Sequence, residues 1–290
     1  MRRCLACSHT FDSDGWACPV CGAEPGNRQG FMAFAPELAA QSNGYDPQLF
    51  AQNAELEAKN FWFAGRNTLL QQVLRRYLPS AGDVLEIGCG TGFVLAMLRA
   101  QYPSANLWAS DIFSEGLPFA AGRVPSAHVV QMDATALPFR DAFDLVGAFD
   151  VIEHIDDDRA ALAEMTAALR PGGTLLLTVP QHPRLWSRMD EYAHHKRRYT
   201  SPELLAKLGE AGLRVRYATS FVSLLLPAMA WSRWRQAKQP PVVSGVDPDL
   251  QLGAATNASL SAVMAIERGL LAARLRLPVG GSLLAVAQKG

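Results

Sequence analysis

The stretch Asp83-Val-Leu-Glu-Ile-Gly88-Cys-Gly90-Thr-Gly92 is a short apolar run that breaks into three alternating glycines, and Phe93–Gln101 follows with a helical pattern. A buried strand, a glycine turn and a helix in that order make a nucleotide-type site. The glycines let backbone approach a ligand, and the first N–H groups of the helix face it. A second strand, Asn106–Ser110, ends in Asp111, 19 residues beyond Gly92, where a carboxylate can hold both hydroxyls of a ribose. The pattern also excludes. A dinucleotide fold wants a small residue where Phe93 stands, and the G-K-[ST] of a phosphate-binding P-loop is missing.

Further segments follow in a fixed order. They are Met132-Asp133-Ala134 with Leu137-Pro138-Phe139, Phe143-Asp144-Leu-Val146 running to Phe149-Asp150-Val-Ile-Glu153-His154, and Leu169-Arg-Pro-Gly-Gly173 leading into Thr174–Val179. With Glu86–Gly92 and Asp111, the set resembles the motifs of class I S-adenosylmethionine-dependent methyltransferases, of the type 11 or ubiquinone-pathway-like kind, over roughly Trp62 to Lys289. The resemblance implies an α/β fold, a doubly wound seven-stranded sheet with the last strand antiparallel. It implies S-adenosylmethionine as cofactor, with Glu86 ordering the methionine end, Gly88, Cys89 and Gly90 forming the cradle, and Asp111 and Ile112 beside the ribose. Asp133 and Ala134 then lie on the adenine side and Phe149 at the exit of the fourth strand. Cys89 reads as a small turn residue rather than a nucleophile, and Asp144 as the start of a strand. Asp133 alone would pass for a turn residue.

Asn60-Phe-Trp-Phe-Ala-Gly-Arg66 opens a helix running to Tyr77, with Trp62 and Arg66 on one face. Relatives of this kind cover the cofactor with such a helix. Arg66 then either meets the cofactor carboxylate or stays on the surface.

Asp150, Glu153 and His154 sit just past the fourth strand, and in a helical turn residues i, i+3 and i+4 share a side. A His with two carboxylates serves as a polarised base, as a divalent-metal site, or as a structural cap on a helix over 156–170. Some O-methyltransferases in this resemblance hold a metal with an acid-x-x-Glu-His set and a further His; the first acid here is Asp where those have Glu. The loop after Val179 carries aromatics, five Arg and Lys and three His, and reads as an acceptor-binding loop in which His195 or His194 approaches His154. Its arginines suit an acceptor phosphate or carboxylate. Thr200 or Ser201 caps the next helix.

Cys4-x2-Cys7 and Cys18-x2-Cys21 contain four of the five cysteines. In a reducing compartment two such pairs are expected to close a tetrahedral shell around zinc, with iron or a redox pair as alternatives. No coordination position stays open, so a structural knuckle or a docking surface is expected rather than a catalytic metal. Residues 1–26 are expected to be this Cys4 module, 27–59 a linker with one short helix near 47–59, and 60–290 the methyltransferase domain with a helical insertion at about 220–278.

Lys+Arg and Asp+Glu are both 27, a balance that gives no electrostatic reason for nucleic-acid binding. No leader-like apolar region follows Met1-Arg2-Arg3, and a cytoplasmic location is expected. The apolar stretch 221–231 with Arg233, Arg235 and Lys238 is too short to span a bilayer. It reads as a lid or subunit contact, with peripheral membrane contact through 221–238 as the alternative. Gln239–Gly253 reads as a linker, Ala258–Leu275 as a helix and Leu283–Gln288 as the last strand. The expected activity is O-methylation of a small-molecule or glycoconjugate acceptor. An RNA methyltransferase gripping its substrate with the zinc module, and a non-catalytic cofactor-binding scaffold, are the alternatives.

Overall fold

The computed structural model describes residues 1–13, 15–40, 48–236 and 252–290, so most of the expected linker over 239–253 lies outside the described residues. The central sheet is built on β5 (Asp83–Ile87), whose run of four buried residues is sandwiched between β6 (Asn106–Asp111) and β8 (Phe143–Phe149), both parallel to it. β7 (His128–Gln131) lies outside β6 and β9 (Leu169–Pro180) outside β8. β11 (Ser282–Lys289) inserts antiparallel between β9 and β10 (Leu213–Phe221). That is the expected seven-stranded core with its last strand reversed. The strand order changes direction at β5, and a crevice therefore opens beyond the carboxyl ends of β5 and β8.

Helices cover both faces. α3 (Phe61–Tyr77), α4 (Phe93–Gln101), α5 (Leu117–Arg123) and α10 (Ala254–Ala272) bury leucine-rich sides on one face, including Leu70, Leu95, Leu98 and Leu117. α6 (Asp158–Ala168) and α8 (Ser201–Glu210) pack on the other around Leu162, Met165, Leu204 and Leu208. The start of α3 is set by Asn60, whose Oδ1 accepts from Trp62 N at 2.9 Å. Thr200 caps α8 in a reciprocal box with Glu203.

Two expectations need correcting. The stretch 27–59 does contain the expected helix, α2 (Gln48–Leu56), and a shorter one, α1 (Pro36–Ala40), but it also extends the sheet. A hairpin of β3 (Gly26–Arg28) and β4 (Phe31–Ala33) adds two strands beside β7, making nine. The Gln131 side chain holds it there, donating to Ala35 O at 2.8 Å and accepting from Ala35 N at 3.0 Å. The apolar stretch 221–231 is also broken by a turn rather than continuous. Val222 turns in the left-handed region (φ 58) before α9 (Leu226–Gln236) begins. The helical insertion is thus α9 and α10.

The N-terminal module folds against the domain. Its small strands β1 (Arg2–Arg3) and β2 (Thr10–Phe11) pair antiparallel, and Arg3 N donates to Pro138 O at 3.0 Å while Arg3 Nη2 meets Glu164 at 2.8 Å. Trp16 lies edge-on to Phe34, Trp108 and Phe139 at 4.8–5.9 Å. Three edge-to-face contacts on one indole fix the module's orientation.

Candidate active site

The glycine turn is packed from both sides. Gly88 (φ +69) has no room for a side chain, because a Cβ there would lie 2.4 Å from Val151 Cγ2; at Gly92 (φ +77) it would lie 2.6 Å from Ala120 Cα. Between them Gly90 N donates to Asp111 Oδ2 at 2.8 Å, and Phe113 N donates to Asp111 Oδ1 at 3.0 Å. Burial pushes Asp111 up to about 6, against the pull of those backbone N–H groups. Burial also drives Glu86 well above the usual carboxylate range, and its Oε2 has no hydrogen-bond partner. These groups line a cavity of about 880 Å³, together with Ile112, Asp133, Ala134, Phe149 and Arg66. Size, glycine cradle and an unsatisfied buried carboxylate oxygen fit an adenosyl amino acid.

A second cavity of about 470 Å³ adjoins it, and Asn53, Trp62, Phe63, Asp150, Ala193 and His195 line both. Its walls are largely apolar, from Phe61, Val222, Leu225, Met229 and Leu260. At the seam stand Glu153 facing the smaller cavity, His154 facing the larger and His195 facing both. One ligand atom from each of the three lies within 4.8 Å of the others. Glu153 is fully buried and neither of its oxygens has a hydrogen-bond partner. Burial pushes the His154 imidazole down to about 3, with His195 adding to the effect, so its ring is neutral. His195 Nδ1 lies 2.8 Å from Asp190 Oδ1, and Arg198 Nε donates to the same oxygen at 2.6 Å. Such a carboxylate on the far nitrogen fixes the ring's orientation and turns Nε2 toward the cluster.

At the N-terminus Cys4 Sγ lies 3.5 Å from Cys21 Sγ, and Cys7 Sγ lies 3.6 Å from Cys18 Sγ. Sulfurs bound tetrahedrally at about 2.3 Å from zinc stand ~3.8 Å apart, so the four thiols fit that ion.

Comparison with known proteins agrees with the geometry. Residues 85–177 match the family model described as a methyltransferase domain. A Mycobacterium tuberculosis protein named as a probable S-adenosylmethionine-dependent methyltransferase is 27% identical over 196 residues, covering 62% of this chain and 70% of that protein. The chain is an S-adenosylmethionine-dependent methyltransferase. Trans-aconitate 2-methyltransferase of Azoarcus sp. (strain BH72) is 31% identical to it over 154 residues, covering 53% of the methyltransferase and 55% of that relative. Phosphoethanolamine N-methyltransferase 2 of Haemonchus contortus, solved with S-adenosylmethionine, shares the fold at a TM-score of 0.57 and 18% identity, covering 86% of this chain and 58% of its own.

Within the methyltransferase, the ten residues expected around the cofactor all line the larger cavity. Two are engaged differently from expectation. Arg66 Nη1 pairs with Asp150 Oδ2 at 2.5 Å, and its guanidinium lies 4.6 Å from the Trp62 ring. Asp133 accepts from both Thr135 N and Thr135 Oγ1, so its carboxylate closes its own turn. Asp150, held by Arg66 and by Thr178 Oγ1 at 3.1 Å, stands apart from the Glu153–His154–His195 cluster. Arg198, expected among the acceptor-binding arginines, instead anchors Asp190.

Two residues, Asp190 and Glu57, gained no role from sequence reading. Asp190 was legible only as the third residue of a helix cap begun by Ser187, heading α7 (Arg188–Tyr192). Glu57, just past α2, takes Thr91 Oγ1 at 2.6 Å and Arg123 Nη1 at 2.8 Å, strapping α2 over the glycine turn. No spacing signal links those three positions.

Proposed function

We propose that the methyltransferase acts on an oxygen of a small-molecule or glycoconjugate acceptor held in the smaller cavity. The observation that carries this reading is the position of Glu153, His154 and His195 at the seam of two adjoining cavities, one cradled by glycines and the other apolar. When bound, S-adenosylmethionine supplies an activated methyl group on a sulfonium. The chain's part is alignment and proton handling. Glu86 holds the amino-acid end, Asp111 the ribose hydroxyls, and Ile112, Asp133 and Ala134 flank the adenine. Phe149, Asp150 and Arg66 close the floor between the cavities. A relative named for trans-aconitate supports a small acceptor.

Glu153, His154 and His195 would hold a divalent cation, which would supply Lewis-acid activation of an acceptor hydroxyl. The unpartnered Glu153 oxygens and the neutral His154 ring favour that role. A second reading rests on the Asp190–His195 hydrogen bond. With Nδ1–H given to Asp190, His195 Nε2 takes the acceptor proton without any metal. The four N-terminal cysteines hold structural zinc, and residues 1–26 form a module that braces the domain through Trp16.

Calorimetry with S-adenosylmethionine and S-adenosylhomocysteine tests the first step; absence of binding overturns the reading. Incubation of extracts with a labelled methyl donor, with and without a chelator, then separates the cation from the His195 base.

A further inference from the structure

α9 faces two ways. Leu225 just before it, then Met229 and Ser232, line the smaller cavity. Leu224, Pro227, Trp231 and Trp234 follow at helical spacing along the opposite side, with Leu224 44% exposed and each indole 58%. Folding does not require this, since a large apolar side chain left in water forfeits the stabilisation that burial brings. The charge around the face is one-sided. Among the described residues of 222–236 and 254–276 the one carboxylate is Glu267, which is buried and accepts from Val222 N, Ser223 N and Leu224 N at 2.6–2.8 Å. The exposed charge on α9 itself is Arg235, whose guanidinium lies 4.8 Å from the Trp231 ring.

We propose that α9 is an interfacial anchor. Its tryptophan face lies in the headgroup layer of an anionic lipid surface, and the cavity behind it receives an acceptor carried on a lipid. The delivery half rests on the methyltransferase reading above; the anchoring half does not. Indoles favour headgroup depth, where the ring is half apolar and its N–H stays wet. Arginine beside them reaches anionic headgroups while its stem covers apolar surface. At 11 residues the helix is about 16 Å long, far short of a bilayer core, so it lies in the surface rather than across it. The inner face of the same helix walls the apolar cavity, so a lipid tail passes from one to the other without crossing water. A second copy of the chain fits the face less well, because a two-fold contact would set Arg235 near its own image without a carboxylate to relieve it.

The test uses the full chain and vesicles of phosphatidylglycerol with phosphatidylcholine, against phosphatidylcholine alone. The wild-type chain should sediment with the anionic vesicles at low salt. The double variant Trp231→Ala, Trp234→Ala should partition at least roughly tenfold more weakly. Arg235→Glu should cost roughly tenfold on anionic vesicles only, as a local charge reversal predicts. Affinity for S-adenosylhomocysteine should stay unchanged in both, since none of these residues lines the larger cavity. Label from the methyl donor should enter the organic phase of a lipid extract. The anchor is overturned if the wild type stays in the supernatant, if the double variant sediments as well as the wild type, or if light scattering finds a wild-type dimer that the double variant dissociates. Vesicle binding without S-adenosylhomocysteine binding would sink the cofactor reading and leave the anchor standing.

Discussion

Arg66 and Asp150 are ion-paired in the wall of the larger cavity, where it adjoins the smaller one, and they are 84 residues apart in the chain. Arg66 rises from the first turns of α3, sandwiched against Trp62, while Asp150 sits just after β8 in the left-handed region (φ 59). Breaking a pair this shielded leaves a charge without a partner. Arg66→Ala should therefore lower stability by about 2–3 kcal/mol, less than a fully buried pair because Asp150 is 17% exposed. It should also weaken S-adenosylhomocysteine binding. Asp150→Asn tolerates the same backbone and should cost less, as chemical denaturation of both variants would reveal.

Asp111 gives binding a pH dependence. Its carboxyl is held up at about 6 by burial, and ribose hydroxyls would donate to the ionised form. Affinity for S-adenosylhomocysteine should thus be level above pH 7 and fall as pH drops through 6, approaching about tenfold per unit as the proton must be expelled. Asp111→Asn should flatten that profile and bind about 10- to 100-fold more weakly. Calorimetry between pH 5 and 8 measures both.

Glu153→Gln separates chemistry from cofactor binding. The carboxylate faces the smaller cavity and lines no part of the larger one, so S-adenosylhomocysteine affinity should change by less than about twofold while turnover falls at least ~100-fold. Chelation should mimic the variant if a cation sits at the seam, and added divalent ions should restore the wild type but not Glu153→Gln.

Cys18→Ser should abolish stoichiometric zinc and release Trp16 from its three aromatic neighbours. The binding energy of a structural ion is folding energy for a module this small. A loss of roughly 2–3 kcal/mol would lower the melting temperature by about 5–10 °C in a domain this size. Differential scanning calorimetry with and without chelator is the measurement.

Glu267→Gln should loosen the turn before α9. One carboxylate holds three successive backbone N–H groups, the first on Val222, a β-branched residue at positive φ. An amide offers one acceptor where the carboxylate offered two charged ones, and the cost is roughly 1–3 kcal/mol. Hydrogen exchange at Val222–Leu224 should speed accordingly.

The parallel core was legible because short, mostly apolar segments end in Gly88, Asp111 and Phe149, and their order resembles the motifs of class I methyltransferases. The expected cofactor-side residues came from that resemblance. What escaped reading depends on partners far along the chain. The hairpin Gly26–Ala33 carries three-residue strands among Gly, Asn, Gln and Arg, and is held by a glutamine amide about a hundred residues on. Asp150, Glu153 and His154 looked equivalent by spacing. Arg66 draws Asp150 away, and a short 3₁₀ turn at Ile152–His154 leaves the other two facing His195. The role of Asp190 depends on Arg198 and His195 folding back onto it, which no helical cap announces.

The β3–β4 hairpin shares only one register pair with β7, Ala33 with Gln131, and the remaining bonds to Phe34 and Ala35 come from that same glutamine. An unguarded strand at the margin of a sheet is a template on which other chains can grow. The hairpin works as a cover for that margin, and the cover adjoins the cysteine module through the contact of Trp16 with Phe34. Metal starvation should therefore show itself first as self-association of still-folded molecules, at temperatures well below the melting of the catalytic core.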